Sequence, residues 1–427
     1  MSLQTLPQYE TYKDSGIEWL GKIPQEWKLV RLKYVVNILK RIAGKEGYDV
    51  LSITQQGIKV KDIDSGEGQL AMDYSKYQLL YHGEFAMNHM DLLTGYVDRS
   101  AYDGVVSPDY RVFKVVSNDV LDSYLLLIFQ LAYKQRIFYK YGQGVSLLGR
   151  WRLPADNFNN FFIPIPSLCQ QENIIAFLSK QTAQIDAAIA IKEKQIALLK
   201  ERKQILIQQA VTQGLDPIVP MKDSGVEWIG KIPSEWQLNP LKRVLSLVSE
   251  KTLSSISNLS YVGMENIESW SGRFIPSHAE IEGLANRFQK GDILFGKLRP
   301  YLAKVSLATD EGICSTEFLV YRTKTQSSHY FRYLLGSKQF INLVDASTYG
   351  SKMPRASAEF IGVQKLPIPS IEEQIAIAHF LDQKTTQIDT AIAIKEKQIE
   401  KLREYKTTLI NSAVTGKIRV TPEMVAV

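Results

Sequence analysis

Cysteine is nearly absent: the 427 residues include only Cys169 and Cys314, one in each half of the chain. Neither has metal or redox spacing, which excludes a disulfide framework and predicts a reducing compartment. No apolar run reaches the length of a membrane span. The opening MSLQTLPQYETYKD also lacks the basic start and apolar stretch of a secretory signal. The expected location is therefore the cytoplasm, with no membrane partner. Charge of one sign is scarce too, since 51 Lys and Arg against 45 Asp and Glu leave +6. So small an excess neither marks nor excludes a nucleic-acid-binding face. There is no G-x-x-x-x-G-K-S/T phosphate loop. His82, His89, His278, His329 and His379 are scattered without ligand spacing, so no metal is expected. The remaining composition, 45% hydrophobic and 10% aromatic, describes globular domains and not a disordered chain. The length allows about two to four of them, each able to bury its own core.

What is present is a duplication. Residues 13–27, KDSGIEWLGKIPQEW, return 209 positions later as KDSGVEWIGKIPSEW at 222–236, with twelve of fifteen residues unchanged. AIAIKEKQI at 188–196 returns 203 positions later at 391–399. A repeat covering about half the chain predicts two similar units and not a solenoid. Between these blocks the halves diverge, yet landmarks persist at an offset of 208: Gly83-Glu84-Phe85 against Gly291-Asp292-Ile293, Ser107 against Ser315, and Tyr141-Gly142 against Tyr349-Gly350. Each half thus holds one divergent domain of common fold between repeated framework elements. The divergent stretches are mildly basic, with 17 basic against 14 acidic residues in 28–160 (+3) and 15 against 11 in 237–363 (+4).

The framework segments read as long helices. From Gln170 to Gln209 there is no glycine or proline, and apolar residues fall at Leu178, Ile185, Ile189, Ile196, Leu199 and Leu206. The second copy repeats them as Leu381, Ile388, Ile392, Ile399, Leu402 and Leu409. Both copies break this heptad seam in the same places, at Thr182, Lys192 and Lys203 and at Thr385, Lys395 and Lys406. Two helices of about 40 residues, roughly 60 Å each, are expected to pair as an antiparallel coiled coil within the chain, with a divergent domain at each end. The other reading is that each stripe docks onto its own domain. Pro166-Ser167 and Pro369-Ser370 supply starts with a serine cap, and Gly214 and Gly416 supply stops.

Within the divergent domains, GEFAMN (83–88) and GDILFG (291–296) read as strands. DYRVFKV (109–115) and EFLVYRT (317–323) follow with a period of two, then helices near 121–140 and 328–346, then a loop opening on Tyr-Gly. The predicted fold class is α/β: two tandem mixed α/β domains with a curved sheet, separated by the two long helices. The expected boundaries are a segment 1–27, a first domain 28–165, a long helix 166–213, a repeated segment 214–236, a second domain 237–368, and a helix with tail 369–427.

The SGIEW-x-GKIP-x-EW opening, the Tyr-Gly loop leading into IPIPS or LPIPS, the Gln-Ile-Asp-x-Ala-Ile-Ala-Ile-Lys-Glu-Lys-Gln-Ile helix and GLDP at 214–217 together resemble the specificity subunit of a type I restriction-modification enzyme. The resemblance covers nearly the whole chain. It implies that the two domains are target-recognition domains, each reading half of a bipartite DNA sequence. It also implies that the long helices separate those domains and bind two methyltransferase subunits, which recruit ATP-driven translocase and nuclease subunits. This chain would then bind no cofactor, and S-adenosylmethionine, ATP and Mg would belong to its partners.

The catalytic inventory agrees. In place of the Asn-Pro-Pro-Tyr loop of an adenine methyltransferase, the chain offers Ser107-Pro108-Asp109-Tyr110 in a strand pattern. Of a nuclease signature only Glu201-Arg202-Lys203 is present, on the long helix. Base edges are read by Arg, Lys, Asn and Gln, and phosphates are positioned by Lys, Arg, Ser and backbone amides. Two loops per domain combine such donors with glycine. In the first domain the candidates are Asn88, His89, Thr94 and Arg99, then Gln143, Ser146, Arg150 and Arg152. In the second they are Lys297, Arg299, Tyr301 and Lys304, then Ser351, Lys352 and Arg355. Trp19, Trp27, Trp228 and Trp236 read as anchors packing each domain's start against a long helix, or as part of a methyltransferase interface. Two rival functions stay open: a coiled-coil scaffold whose domains bind protein, and a methyltransferase or nuclease with degenerate motifs.

Overall fold

The computed structural model describes residues 6–63, 71–144, 151–254, 258–276, 283–350 and 352–426. It forms two compact units, Met1–Ile191 with Gln398–Val427, and Lys192–Lys397.

In each unit a pair of strands carries the chain into and out of the domain. β1 (Lys28–Arg31) pairs antiparallel with β6 (Phe162–Ile165), and β7 (Gln237–Pro240) pairs with β12 (Lys365–Ile368). Between them lies a four-stranded antiparallel sheet. In the first domain β2 (Val36–Leu39), β3 (Phe85–Met87), β4 (Val97–Arg99) and β5 (Arg111–Val115) take the order β2-β5-β3-β4. In the second, β8 (Ser246–Val248), β9 (Ile293–Gly296), β10 (Val305–Leu307) and β11 (Phe318–Arg322) take the matching order β8-β11-β9-β10. The landmark strands therefore occupy equivalent places despite their divergence. Elsewhere the domains differ. The second adds another four-stranded sheet with one parallel pair, Tyr261–Val262 beside Gly312–Ser315. The described part of the first shows two small ribbons.

α1 (Asp122–Lys134) packs an aromatic face on the first sheet, where Phe113, Phe129 and Phe158 meet at ring separations of 5.3–6.0 Å. Its counterpart α3 (Ser328–Leu335) is capped by the Ser327 hydroxyl and ends at Gly336, where the predicted single helix 328–346 breaks in two. The long helices are α2 (Leu168–Gln213) and α4 (Ile371–Val414). Ser167 and Gln170 form a reciprocal cap at the start of α2, and the Ser370 hydroxyl accepts from the Glu373 amide at the start of α4. Gly214 and Gly416 follow the helix ends with left-handed φ of 77° and 72°.

Within each unit the two helices run antiparallel. In the second unit Lys203 Nζ meets Asp389 at 2.7 Å and Lys395 Nζ donates to Gln195 at 2.8 Å. In the first unit Lys406 Nζ meets Asp186 at 2.7 Å. Residue numbers thus rise on one helix as they fall on the other. The gaps in the heptad seam acquire a physical meaning here: Lys203 and Lys406, the same position in the two copies, reach across to the same aspartate of the opposite helix. A charged residue at a seam position favours one register because a slip strands it. Leu178, Ile185, Ile189, Leu381, Ile392, Ile399 and Leu409 are buried, and Ile196, Leu199, Leu206, Ile388 and Leu402 are half-buried. Contrary to the expectation from the sequence, α2 contains a window long and apolar enough by composition to cross a membrane. Interspersed Ser, Gln, Thr and Asp break it as a continuous apolar run. Of the apolar residues of α2, Ile174, Phe177, Leu178, Ile185 and Ile189 are buried and Leu168, Ile191, Leu198 and Ile205 are exposed, and 22% of the window is buried.

Each domain core is closed by both helices. The second domain's core takes Ile207, Ala210 and Val211 from the end of α2 and Ile377 and Leu381 from the start of α4. The Tyr330 hydroxyl lies 3.0 Å from the carbonyls of both Val211 and Pro367. In the first unit the Tyr124 hydroxyl lies 3.2 Å from the Val414 carbonyl and 3.1 Å from that of Pro164. Gln171 and Gln374, both fully buried, accept from Leu121 N and Ser327 N and so tie each long helix to the start of α1 or α3. Trp27 is completely buried beneath Gly416, and Trp236 packs on Gly214 while its Nε1 donates to Glu373 at 2.9 Å. Trp19 stacks on Phe161 and Trp228 meets Phe340 edge-on.

Candidate functional site

The two loops singled out in each domain come together. In the first domain the turn between β3 and β4 holds Asn88, His89 and Thr94, and the Tyr-Gly loop follows α1. Leu153 N donates to His89 O at 2.8 Å, and Leu92 N donates to Trp151 O at 3.0 Å. In the second domain Ala356 N donates to Lys297 O at 2.9 Å, and Arg299 N donates to Pro354 O at 2.7 Å. His89 and Lys297 are separated by the landmark offset of 208, and Leu153 and Ala356 by the framework offset of 203. The same joint is therefore built twice from unrelated side chains.

The Tyr-Gly loop is closed at its base in both domains. Gln143 and Arg152 exchange backbone hydrogen bonds of 2.8 and 3.0 Å, and Tyr349 and Arg355 exchange bonds of 3.3 and 3.1 Å. In the first domain Trp151 stacks on Tyr139 with ring centroids 5.0 Å apart and donates from Nε1 to the Tyr139 carbonyl at 2.7 Å. Glycine is required beside it, because a Cβ on Gly142 or Gly144 would come within 2.4 Å of the indole.

The candidate residues divide by what their side chains already hold. Gln143 and Arg152 are exposed at the base of the first loop. Asn88 is half-buried, its carbonyl accepting from Tyr133 Oη at 2.8 Å. His89 is pushed down to about 4, first by burial and then by Arg111 and Arg152, so its imidazole is neutral near pH 7 and cannot pair with a phosphate by charge. Thr94 bonds Asp91. Arg99 points to the Gly83 carbonyl at 3.1 Å and the Asp122 carboxylate at 3.4 Å, away from the joint. In the second domain Arg299 is exposed in a left-handed turn, φ 50°, with Tyr301 exposed beside it. Lys352 is exposed and Lys297 half-buried. Lys304 Nζ donates to the Met264 carbonyl at 2.6 Å. Arg355 grips Glu317 with Nε and Nη2 at 3.0 Å each. Ser146, Arg150 and Ser351 lie outside the described residues.

Three residues absent from the sequence candidates belong to this region. Tyr349 is 66% exposed beside Lys352, where its counterpart Tyr141 packs edge-on against Phe161. Tyr349 served only as a landmark in the sequence. Arg111 on β5 is buried beneath the joint, its Nη2 donating to the Leu153 carbonyl at 3.0 Å and its guanidinium lying over the Phe158 ring at 4.6 Å. Glu317 anchors the second joint. A signal for Arg111 was present: in the alternating DYRVFKV it shares a face with Phe113, where a charge is out of place.

As a surface, the described residues of each joint offer donors and planar groups and include no group of three or more metal-ligating side chains. Such a surface is suited to recognition. A family model described as the type I restriction modification DNA specificity domain matches residues 24–201 and 234–404. The MjaVIII type I restriction enzyme specificity subunit of Methanocaldococcus jannaschii is 24% identical over 96% of this chain and 97% of its own. The EcoDI type I restriction enzyme specificity subunit of Escherichia coli is 22% identical over 60% of this chain and 62% of its own. A chain solved in work on assembly and conformational transition of the type I R-M system superimposes with a TM-score of 0.68 at 13% identity, covering 92% of this chain and 98% of that one. The HsdS subunit from Thermoanaerobacter tengcongensis gives 0.52 at 14% identity, covering 93% and 98%.

Proposed function

The chain belongs to the type I restriction-modification DNA specificity family and is a DNA-recognition subunit, and from that premise we propose that each domain reads one half of an asymmetric bipartite DNA site. The observation that supports this reading is the repeated joint. Both domains stitch the same two loops together at equivalent backbone positions, yet one surface presents Asn88, Gln143 and Arg152 and the other Lys297, Arg299, Tyr301 and Lys352. Equal frames with unequal donors read unequal sequences.

In this reading the chain performs no chemistry itself. It scaffolds two methyltransferase subunits, which hold S-adenosylmethionine, and through them the restriction and translocase subunits, which use ATP and Mg. The partner contacts are placed on the long helices because AIAIKEKQI recurs in both of them while the domains diverge, as shared partners on both halves require. The deciding experiment is methylome sequencing of cells with and without the gene, the partner methyltransferase being present in both. An asymmetric bipartite motif that vanishes on deletion is expected. A palindrome as the only modified motif would overturn the two-reader proposal, and methyl transfer from labelled S-adenosylmethionine by the isolated chain would overturn the non-catalytic one.

A further inference from the structure

One pair of backbone hydrogen bonds per joint is a weak means of holding two loops together. A bidentate contact to a base edge needs its donors placed within about 0.5 Å and 10–20°. Each joint carries an additional polar link that reaches it from inside the domain, and in both cases the link is an arginine.

In the first domain the link runs from the sheet to the loop. Arg111, on central strand β5, is only 6% exposed. Its Nη2 donates at 3.0 Å to the carbonyl of Leu153, a completely buried residue whose own N–H donates to His89 O at 2.8 Å. Leu153 is thus held from both sides, by the strand through its carbonyl and by the other loop through its amide. Among the described residues Arg111 makes no ion pair. Burying a guanidinium against a ring and a carbonyl is costly, so a strand position filled this way is hard to explain by packing alone.

In the second domain the link runs the opposite way, from the loop to the sheet. Arg355 closes the Tyr349 loop and sits next to Ala356, whose N–H donates to Lys297 O. Its guanidinium makes a two-pronged pair with Glu317, at the entrance to central strand β11. The Glu317 carbonyl in turn accepts from Lys297 N at 2.9 Å. Strand, first loop and second loop again meet at one point. The position aligned with Arg111 is Leu319 and the one aligned with Glu317 is Asp109, so the two domains reached the same connection with different residues.

We propose that Arg111 in the first domain, and Arg355 with Glu317 in the second, are positioning residues that fix the two recognition loops of each domain relative to one another and so set half-site discrimination without touching DNA. The proposal rests on the loops being the DNA-reading elements. It reassigns Arg355 from a candidate DNA contact to a strut within its own domain, and it adds the buried Arg111 and the half-buried Glu317.

The test uses the full chain assembled with its methyltransferase, methylating a DNA library randomised at one half-site or the other. Arg111→Met should lower discrimination at one half-site about tenfold or more, as expected for loss of a hydrogen bond to a charged group, and leave the other half-site unchanged. Glu317→Gln should do the converse. Arg111→Lys, which keeps a charged donor but not the fork, should recover part of the loss, and the exchange Glu317→Arg with Arg355→Glu should recover more than either single change. Co-purification with the methyltransferase and the melting temperature report on folding, and Arg111→Lys and Glu317→Gln keep the test decisive should Arg111→Met fail to fold. Equal loss at both half-sites, or unchanged profiles in all strut variants, would overturn the proposal. A parallel variant, Gln143→Ala with Arg152→Ala, separates the two ideas. If it alters one half-site while the strut variants do not, the struts are wrong and the loop reading stands. If neither set alters a half-site, the loop reading itself fails.

Discussion

In the proposed reading the long helices measure the separation between half-sites, and the cross-helix pairs say how to lengthen them without breaking anything else. Four residues inserted into α2 alone would slide one helix past the other by about 6 Å at 1.5 Å per residue. Either Lys203 would then leave Asp389 or Asp186 would leave Lys406, since both contacts are 2.7 Å and fix one register. A matched pair of insertions, between Lys194 and Gln195 and between Lys397 and Gln398, keeps all three cross-helix contacts. Gln195, Lys203, Asp389 and Lys395 move together, and Asp186 and Lys406 stay together. Four residues amount to a stutter that the seam tolerates when the inserted turn keeps an apolar seam residue. At about 3.4 Å per base pair, the doubly inserted protein should recognise the same half-sites with a spacer longer by about one to two base pairs. The single insertion should assemble poorly or lose activity. Methylation sequencing of cells carrying each variant reads the motif directly. A doubly inserted protein that still modifies DNA with an unchanged spacer would refute the ruler, and altered half-sites would refute the independence of the two readers.

Two further predictions concern stability. His89 is held neutral, its folded value of about 4 lying below the ordinary 6.5, so its contribution is present above pH 6.5 and is lost as the pH falls from there through 4. Unfolding followed between pH 4 and 6.5 should show acid destabilisation of the first unit that is smaller in His89→Gln, and an identical pH slope in that variant would contradict the burial argument. Gly416→Ala should destabilise more than Gly214→Ala. Both positions have φ near 75°, but the new Cβ would lie 2.3 Å from Pro24 in the first case and 3.3 Å from its nearest neighbours in the second. About 1 kcal/mol of backbone strain is expected for Gly214→Ala, with the clash added for Gly416→Ala, as read by hydrogen exchange in each unit.

Much of this was legible because the chain states its framework twice. A heptad seam interrupted at the same three places in both copies is difficult to misread, and the helix starts at Ser167 and Ser370 and stops at Gly214 and Gly416 follow from local backbone chemistry. The purpose of the interruptions was not legible, because a lysine at a seam position looks like a defect until the aspartate about 200 residues away is seen beside it. The joint between the two candidate loops was invisible for a different reason. It is made by backbone amides and carbonyls of His89, Leu153, Lys297 and Ala356, and main-chain bonds leave no mark on residue identity. Residue type alone does not separate Arg152 and Lys352 from Arg99, Lys304 and Arg355, whose charged groups already meet partners in their own domains.

The buried tyrosines carry a consequence for how such a gene can change. Tyr124 belongs to the first copy but grips the end of the second copy's helix at Val414, and Tyr330 belongs to the second copy but grips the end of the first copy's helix at Val211. The two repeats are therefore not self-sufficient modules laid in a row. Each lends its last helical turn to the other, as subunits do in a swapped dimer, here with a peptide link retained. Recombination that replaces a whole divergent domain between its framework borders exchanges Tyr124 or Tyr330 with it, so the mutual loan survives where the incoming domain brings a tyrosine to the same place, and in the proposed reading such an exchange changes one half-site in one step. A break through the middle of the gene leaves each product short of the turn its own tyrosine holds, and that turn must then be supplied by another chain.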